Sequence, residues 1–277
     1  MPNYIKLSVT GADNEELSEI LIAELAEADF ESFDEAEGII NAYIQENNYN
    51  SQSVEEIFKQ EIFSLLKYSV TEIKAENWNS VWESNFEPVV IGEECIIYAA
   101  FHNNLPDAKY KIEINPKMTF GTGHHETTHL CSEAILNIDV KGKQVLDMGC
   151  GTGILGILAA LKGASHITAI DNDLIAVENA VENAQLNNVD SIMEIFEGNG
   201  SSIEGKQFDV IIANINRNVL LNDMENYVKS LNKGGILILS GFYKEDIALL
   251  EETAASLGLV KNKEACKNRW AMLQLNE

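Results

Sequence analysis

Basic residues are scarce in this 277-residue chain: 19 lysines and arginines stand against 44 acids, a net charge of −25. That balance repels phosphate backbones, so direct nucleic-acid reading is not expected, and a basic protein is the better partner. Cysteines are few. Cys95, Cys131, Cys150 and Cys266 are scattered without a C-x-x-C pair. This argues against a disulfide framework or a cysteine zinc site and leaves buried thiols in a reducing compartment. No run of ~18 apolar residues exists to span a membrane, and the first fifteen residues hold no apolar stretch. A cytoplasmic protein, monomeric by default, is the expectation.

The negative charge is uneven. Residues 1–60 carry 14 acids and 2 bases, so nearly half of the net charge sits in less than a quarter of the chain. A solvated surface would explain it, and so would a docking face for a basic protein. Ile5, Leu7 and Val9 alternate as a strand, and Leu17, Ile20, Leu21 and Leu25 follow at helical spacing. Strand-like runs come at Phe30 to Phe33 and Gly38 to Ile44. Ser53 with Glu56 predicts a capping box for a second helix whose stripe is Val54, Ile57, Phe58, Ile62 and Leu65. Ser69 to Ile73 closes the series. This order, βαββαβ, predicts a small ferredoxin-like α+β domain over residues 1–74. Residues 75–115 read as a linker and bridging segment, with Trp78, Trp82 and Phe86 spaced by four to stack on one helical face.

From residue 116 to 277 strands and helices alternate, which predicts a doubly wound parallel sheet of Rossmann-like type. Strands end near Met148, Ile170, Phe196, Ala213 and Ser240; helices are expected at Gly153 to Lys162, Leu174 to Leu186, Val219 to Leu231 and Glu245 to Leu257. The first of these strands runs into Gly149, Gly151 and Gly153. Alternating glycines let a ligand approach the main chain at a helix start. Asp171, about 20 residues beyond, is placed to accept hydrogen bonds from both hydroxyls of a ribose. Gly151-x-Gly153-x-x-Gly156 fits a nicotinamide dinucleotide as well. Asp147 tilts the choice, because a carboxylate there opposes a pyrophosphate but suits the cationic end of S-adenosylmethionine. An NAD-dependent oxidoreductase stays as the alternative.

The Gly149 turn, Asp171, the Gly198-Asn199 pair and Asn214 all fall at predicted carboxyl ends of strands, where such sheets bind ligands. Asn199 is read either as an adenine contact or as part of a tight turn. Asn214 is the candidate to orient an amine, helped by the Ile215 carbonyl, and also counts among the cofactor contacts. One motif misleads. His125-Glu126-x-x-His129 matches the zinc-protease signature, but no third Glu or His occurs between Glu133 and His166. No metal is expected.

Phe120-Gly-Thr-Gly-x-His125-x-Thr127-Thr128, Val145-Leu-Asp-Met-Gly-Cys-Gly-Thr-Gly-Ile-Leu, Ala169-Ile-Asp171, Ala213-Asn214-Ile215 and Trp78-Asn-x-x-Trp82-x-x-x-Phe86-x-Pro88 together resemble the bacterial ribosomal protein L11 methyltransferases. The likeness covers most of the chain. It implies a class I methyltransferase sheet and transfer of methyl groups from S-adenosylmethionine to lysine side-chain and N-terminal amines of that basic ribosomal protein. It further implies that the N-terminal domain binds the substrate and that Thr122, Gly123 and Thr128 close over the methionine portion of the cofactor. Asn214-Ile-Asn-Arg217 departs from the Asn-Pro-Pro-Tyr segment of other nitrogen methyltransferases. Another basic protein remains an alternative substrate, and the roles of His125 and Asn216 stay open.

Overall fold

A computed structural model describes residues 3–12, 15–36, 38–73, 86–116 and 121–276. The chain forms two compact units, residues 1–86 and 87–277. Trp78, Trp82 and Phe120 lie outside the described residues, whereas Phe86 is buried.

The first unit runs β1 (Tyr4–Thr10), α1 (Glu15–Glu27), β2 (Ser32–Ala36), β3 (Ile39–Gln45), α2 (Ser51–Phe58) and β4 (Lys67–Ile73). Its antiparallel sheet has the order β2-β3-β1-β4. Leu7, Val9, Leu21, Leu25, Ile40, Ile44 and Phe63 form its core. Two expectations need correction. The cap of α2 is Asn50, whose side chain accepts from the Gln52 and Ser53 N–H groups, so Ser53 lies inside the helix. The apolar stripe also stops at Phe58, where α2 ends. A 3-10 turn at Glu61–Phe63 then changes the residue period, burying Phe63 and leaving Ile62 and Leu65 exposed. In α1, Ile20 likewise faces outward.

The second unit begins earlier than residue 116. β5 (Val89–Ile91), β6 (Cys95–Tyr98) and β7 (Tyr110–Glu113) form a three-stranded sheet with buried Ile91, Cys95, Ile96, Ile97 and Ile112. Residues 87–115, assigned from the sequence to a linker, are therefore part of this unit. Next come α3 (Glu126–Leu136), β8 (Gln144–Met148), α4 (Ile154–Leu161), β9 (His166–Asp171), α5 (Leu174–Leu186) and β10 (Met193–Glu197). β11 (Phe208–Asn214), α6 (Arg217–Lys229), β12 (Leu231–Tyr243), α7 (Ile247–Ser256), β13 (Val260–Lys267) and β14 (Trp270–Asn276) complete it.

The seven strands are ordered β10-β9-β8-β11-β12-β14-β13, parallel except where β14 pairs antiparallel with β12 and β13. β11 is buried along almost its whole length, as a strand covered by helices on both faces must be. The chain turns from β8 toward β10 on one side and from β11 toward β12 on the other. Beyond the carboxyl ends of β8 and β11 lies the switch point, where a crevice opens.

α3 is held at its far end by a cation. Lys162 Nζ donates to the carbonyls of Ile135, Leu136 and Ile138 at 2.7, 2.6 and 3.0 Å. These are the groups a helix C-terminus leaves without partners.

Candidate active site

β8 ends at Met148, and the chain then folds back onto its neighbour: Gly149 and Cys150 both donate to the Ile170 carbonyl, at 2.7 and 3.0 Å. Gly149, Gly151 and Gly153 have φ of +70°, +54° and +79°, where a side chain is strained. At Gly149 a Cβ would sit closer to the Ile215 Cγ2 than the 3.0 Å that real Cβ atoms keep. Gly153 caps α4. The six-residue pattern Gly151 to Gly156 that resembled a dinucleotide signature ends in packing: a Cβ on Gly156 would crowd Ile167, Met193 and Asp147.

Around this turn is a cavity of about 130 Å³. Met148, Ile170, Ile215 and Val219 supply apolar walls, and Asp171, Asn172, Asn199, Asn216 and Asp223 supply polar groups. Such a mixture suits a flat heteroaromatic ligand with a few fixed hydrogen bonds. Asp171 accepts from Gly151 N–H at 2.8 Å with Oδ2 and from Asp173 N–H at 3.1 Å with Oδ1. An ionised carboxylate has about four acceptor positions, so two remain for hydroxyl groups. Asp171 is not the cap of α5. That place belongs to Asp173, whose side chain accepts from Ile175 N–H at 2.9 Å.

Asp147 does not line the cavity. It is buried behind the turn, where its Oδ2 accepts from Gly156 N–H at 2.9 Å while Oδ1 has no partner. Burial raises its pKa to about 7; the Gly156 N–H opposes the shift and the Asp171 charge adds to it. Asn214 ends β11 beside Ser240, is nearly buried, and also has an unpartnered Oδ1. Ile215 donates its N–H to the Ser240 carbonyl at 3.1 Å. Its own carbonyl presses against Gly241, whose φ of +95° and missing Cβ permit the approach.

The loop before α3 meets the turn directly. Thr152 Oγ1 donates to the Gly121 carbonyl at 2.6 Å. Thr122 Oγ1 lies 3.3 Å from His124 Nδ1. Gly123 is buried, and a Cβ there would crowd Ile97 and Val89, so packing on the small sheet already requires glycine. Thr128 is buried in the first turn of α3 with Oγ1 unpartnered. The zinc-protease spacing dissolves in this setting. His125 caps α3 and meets Trp270 edge-on at 4.6 Å, whereas His129 pairs with Glu133 at 3.3 Å.

The profile of one protein family, "Ribosomal protein L11 methyltransferase (PrmA)", matches residues 6–277. The chain belongs to this family. The ribosomal protein L11 methyltransferase of Bacteroides fragilis is 46% identical over 268 residues, covering 94% of each chain. That of Porphyromonas gingivalis is 45% identical over 260 residues, covering 92% of this chain and 89% of its own. The crystal structure of a ribosomal protein L11 methylase from Lactobacillus delbrueckii subsp. bulgaricus superimposes with a TM-score of 0.63 at 28% identity. That alignment covers 69% of this chain and 99% of the solved one. Family membership makes the chain a methyltransferase with a class I fold and decides against the oxidoreductase alternative.

Of the residues singled out in the sequence, Gly149, Asp171, Asn199 and Ile215 line one cavity, whereas Thr122, Gly123, Thr128, Asp147, Gly151, Gly153 and Asn214 are not among its lining residues. Asn199 turns out to be a cap: its Oδ1 accepts from Ser201 N–H and Oγ at 2.9 and 2.7 Å. Asn216 caps α6 through Val219 N–H at 3.2 Å and also lines the cavity. Asp223, one further turn along α6, was missed, and so was Asn172. Spacing held the signal for Asp223, since Asn216, Val219 and Asp223 recur on one helix face.

Proposed function

We propose that this enzyme transfers methyl groups from S-adenosylmethionine to lysine side-chain and N-terminal amines of ribosomal protein L11, in the cytoplasm. The observation that carries the reading is that the Gly149 turn and Asp171 line one cavity at the carboxyl ends of β8 and β9, with Asn214 ending the adjacent strand β11. Charge supports the partner. The −25 chain, with an N-terminal region denser still in acids, attracts a basic protein and repels free RNA. This favours the 1–74 segment, a ferredoxin-like module, as the docking element. Among the described residues no helix is long and apolar enough to cross a membrane.

The features present fit the cofactor. Glycines leave room at the turn, Asp171 has acceptor capacity for two ribose hydroxyls, and the Asn214 Oδ1 at the end of β11 has no partner among the described residues. The cofactor supplies an electrophilic methyl group on a sulfonium. An acceptor amine would have to present its lone pair opposite the sulfur, having given its extra proton to water. Asn214 Oδ1 accepts an N–H of the amine and so aims its lone pair. Positioning of this kind is the principal contribution. Asn214→Ala should therefore lower kcat by about a hundredfold while the affinity for S-adenosylhomocysteine changes less than about tenfold. Unchanged kcat in that variant would remove Asn214 from the reaction.

A further inference from the structure

Asn179 and Asn183 of α5 and Asn187, which caps its C-terminus, recur at every fourth position, and all three bond the strap that continues β7. Asn187 copies a peptide group: its Oδ1 accepts from Glu113 N–H at 2.9 Å and its Nδ2 donates to the Glu113 carbonyl at 2.7 Å. At Asn115 the same task is divided. Asn183 Oδ1 accepts from its N–H at 2.8 Å, and Asn179 Nδ2 donates to its carbonyl at 3.0 Å. Ile114 points its N–H the other way, to the Tyr98 carbonyl at 2.8 Å. The helix thus serves as a strand edge. Four helical residues rise about 6 Å and two strand residues about 6.7 Å, so the amide ladder stays in register for two steps.

Asn183 also reaches the glycine turn. Its Nδ2 donates to the Thr152 carbonyl at 2.9 Å, inside the glycine turn, and both residues are fully buried. Thr152 in turn holds Gly121 through Oγ1. The Asn183 side chain therefore joins the strap at Asn115 to the turn at 149–153, and the Thr152 hydroxyl joins that turn to the loop that leads into α3. We propose that Asn183 is a positioning residue for cofactor binding: it fixes the turn in its binding shape while docking the strap that delivers residues 121–125 over it. This rests on the reading of the Gly149 turn as the S-adenosylmethionine site.

The test is calorimetric titration of S-adenosylhomocysteine into the wild type, Asn183→Asp and Asn187→Ala. Aspartate keeps the acceptor for Asn115 N–H but sets an oxygen against the Thr152 carbonyl, so only the turn contact is reversed. Asn187→Ala releases the strap at Glu113 and one bond to the Asn183 carbonyl, and leaves the turn contact in place. We expect the dissociation constant to rise about tenfold or more for Asn183→Asp and to stay within about threefold for Asn187→Ala, even where both melt at similar temperatures. The KM for the cofactor should rise with it while the KM for the protein substrate does not. Equal affinity for wild type and Asn183→Asp would overturn the proposal alone; a wild type that fails to bind would overturn the cofactor reading and this with it. Amide exchange on the wild type needs no variant. Ligand should slow exchange at Glu113 and Asn115, which do not line the cavity, together with residues 149–153, and no change at 113–115 would refute the coupling.

Discussion

Replacing Gly149 with alanine places a methyl group where Ile215 Cγ2 already is. Two costs follow. Holding a non-glycine residue at φ +70° costs about 1–2 kcal/mol. Pushing Ile215 aside at the end of β11 costs about 1–3 kcal/mol more, by analogy with overpacked cores. The expected loss is thus about 2–5 kcal/mol, and the displaced residue is next to Asn214, so methyl transfer should fall as well. The two costs can be separated. Ile215→Ala removes the offending methyl; its Cβ would be 3.6 Å from the new one, an ordinary contact. Ile215→Ala alone leaves a void at a half-buried site, for about 2 kcal/mol. The double variant should then be less damaged than the sum of the singles by about 1–3 kcal/mol, while the backbone cost stays. Urea unfolding of the four proteins measures this coupling. Additive losses would refute the claim that Ile215 requires glycine at 149.

Three further outcomes are expected. Lys162→Met should destabilise the protein by about 1–3 kcal/mol in urea unfolding, because three carbonyls at the end of α3 lose a charged donor; an unchanged midpoint would contradict it. Asp147 has a folded pKa near 7, raised above its ordinary value of 3.8, so its neutral form is favoured and the stability it contributes at low pH is lost as pH rises through 7. The stability of Asp147→Asn minus that of wild type, without ligand, should therefore grow between pH 4 and 8, by up to about 4 kcal/mol; a flat difference would show that the carboxylate is not desolvated. Asn199→Ala should cost about 1 kcal/mol as a lost cap and leave S-adenosylhomocysteine affinity within about threefold, and a larger affinity loss measured by calorimetry would restore Asn199 as an adenine contact.

Local features made the centre of this site legible. Strand β8, its glycines and Asp171 follow one another within residues 144–171, and each obeys a rule of backbone or hydrogen-bond chemistry that needs no distant partner. What failed depended on tertiary partners. α3 was not named as an element because its buried face includes Thr127, Thr128 and Ser132, which dilute the apolar period. Leu65 looked like core until α2 stopped at Phe58 and Phe63 took its place. Asn179, Asn183 and Asn187 read as a polar helix face, since nothing in their own segment reveals that backbone from residues 113–115 comes to meet them. The antiparallel pair β13 and β14 was passed over too, as were the short strands β5 to β7, which went into the linker.

The central claim is that the cavity at the switch point delivers methyl groups to amines of ribosomal protein L11. Intact mass of that protein after incubation with S-adenosylmethionine and the enzyme, in parallel with Asp171→Ala, tests it most directly. The account predicts discrete steps of about 14 daltons with the wild type and none at equal time with the variant. An unmodified protein despite measurable cofactor binding would contradict the substrate, and equal stepping by Asp171→Ala would contradict the site.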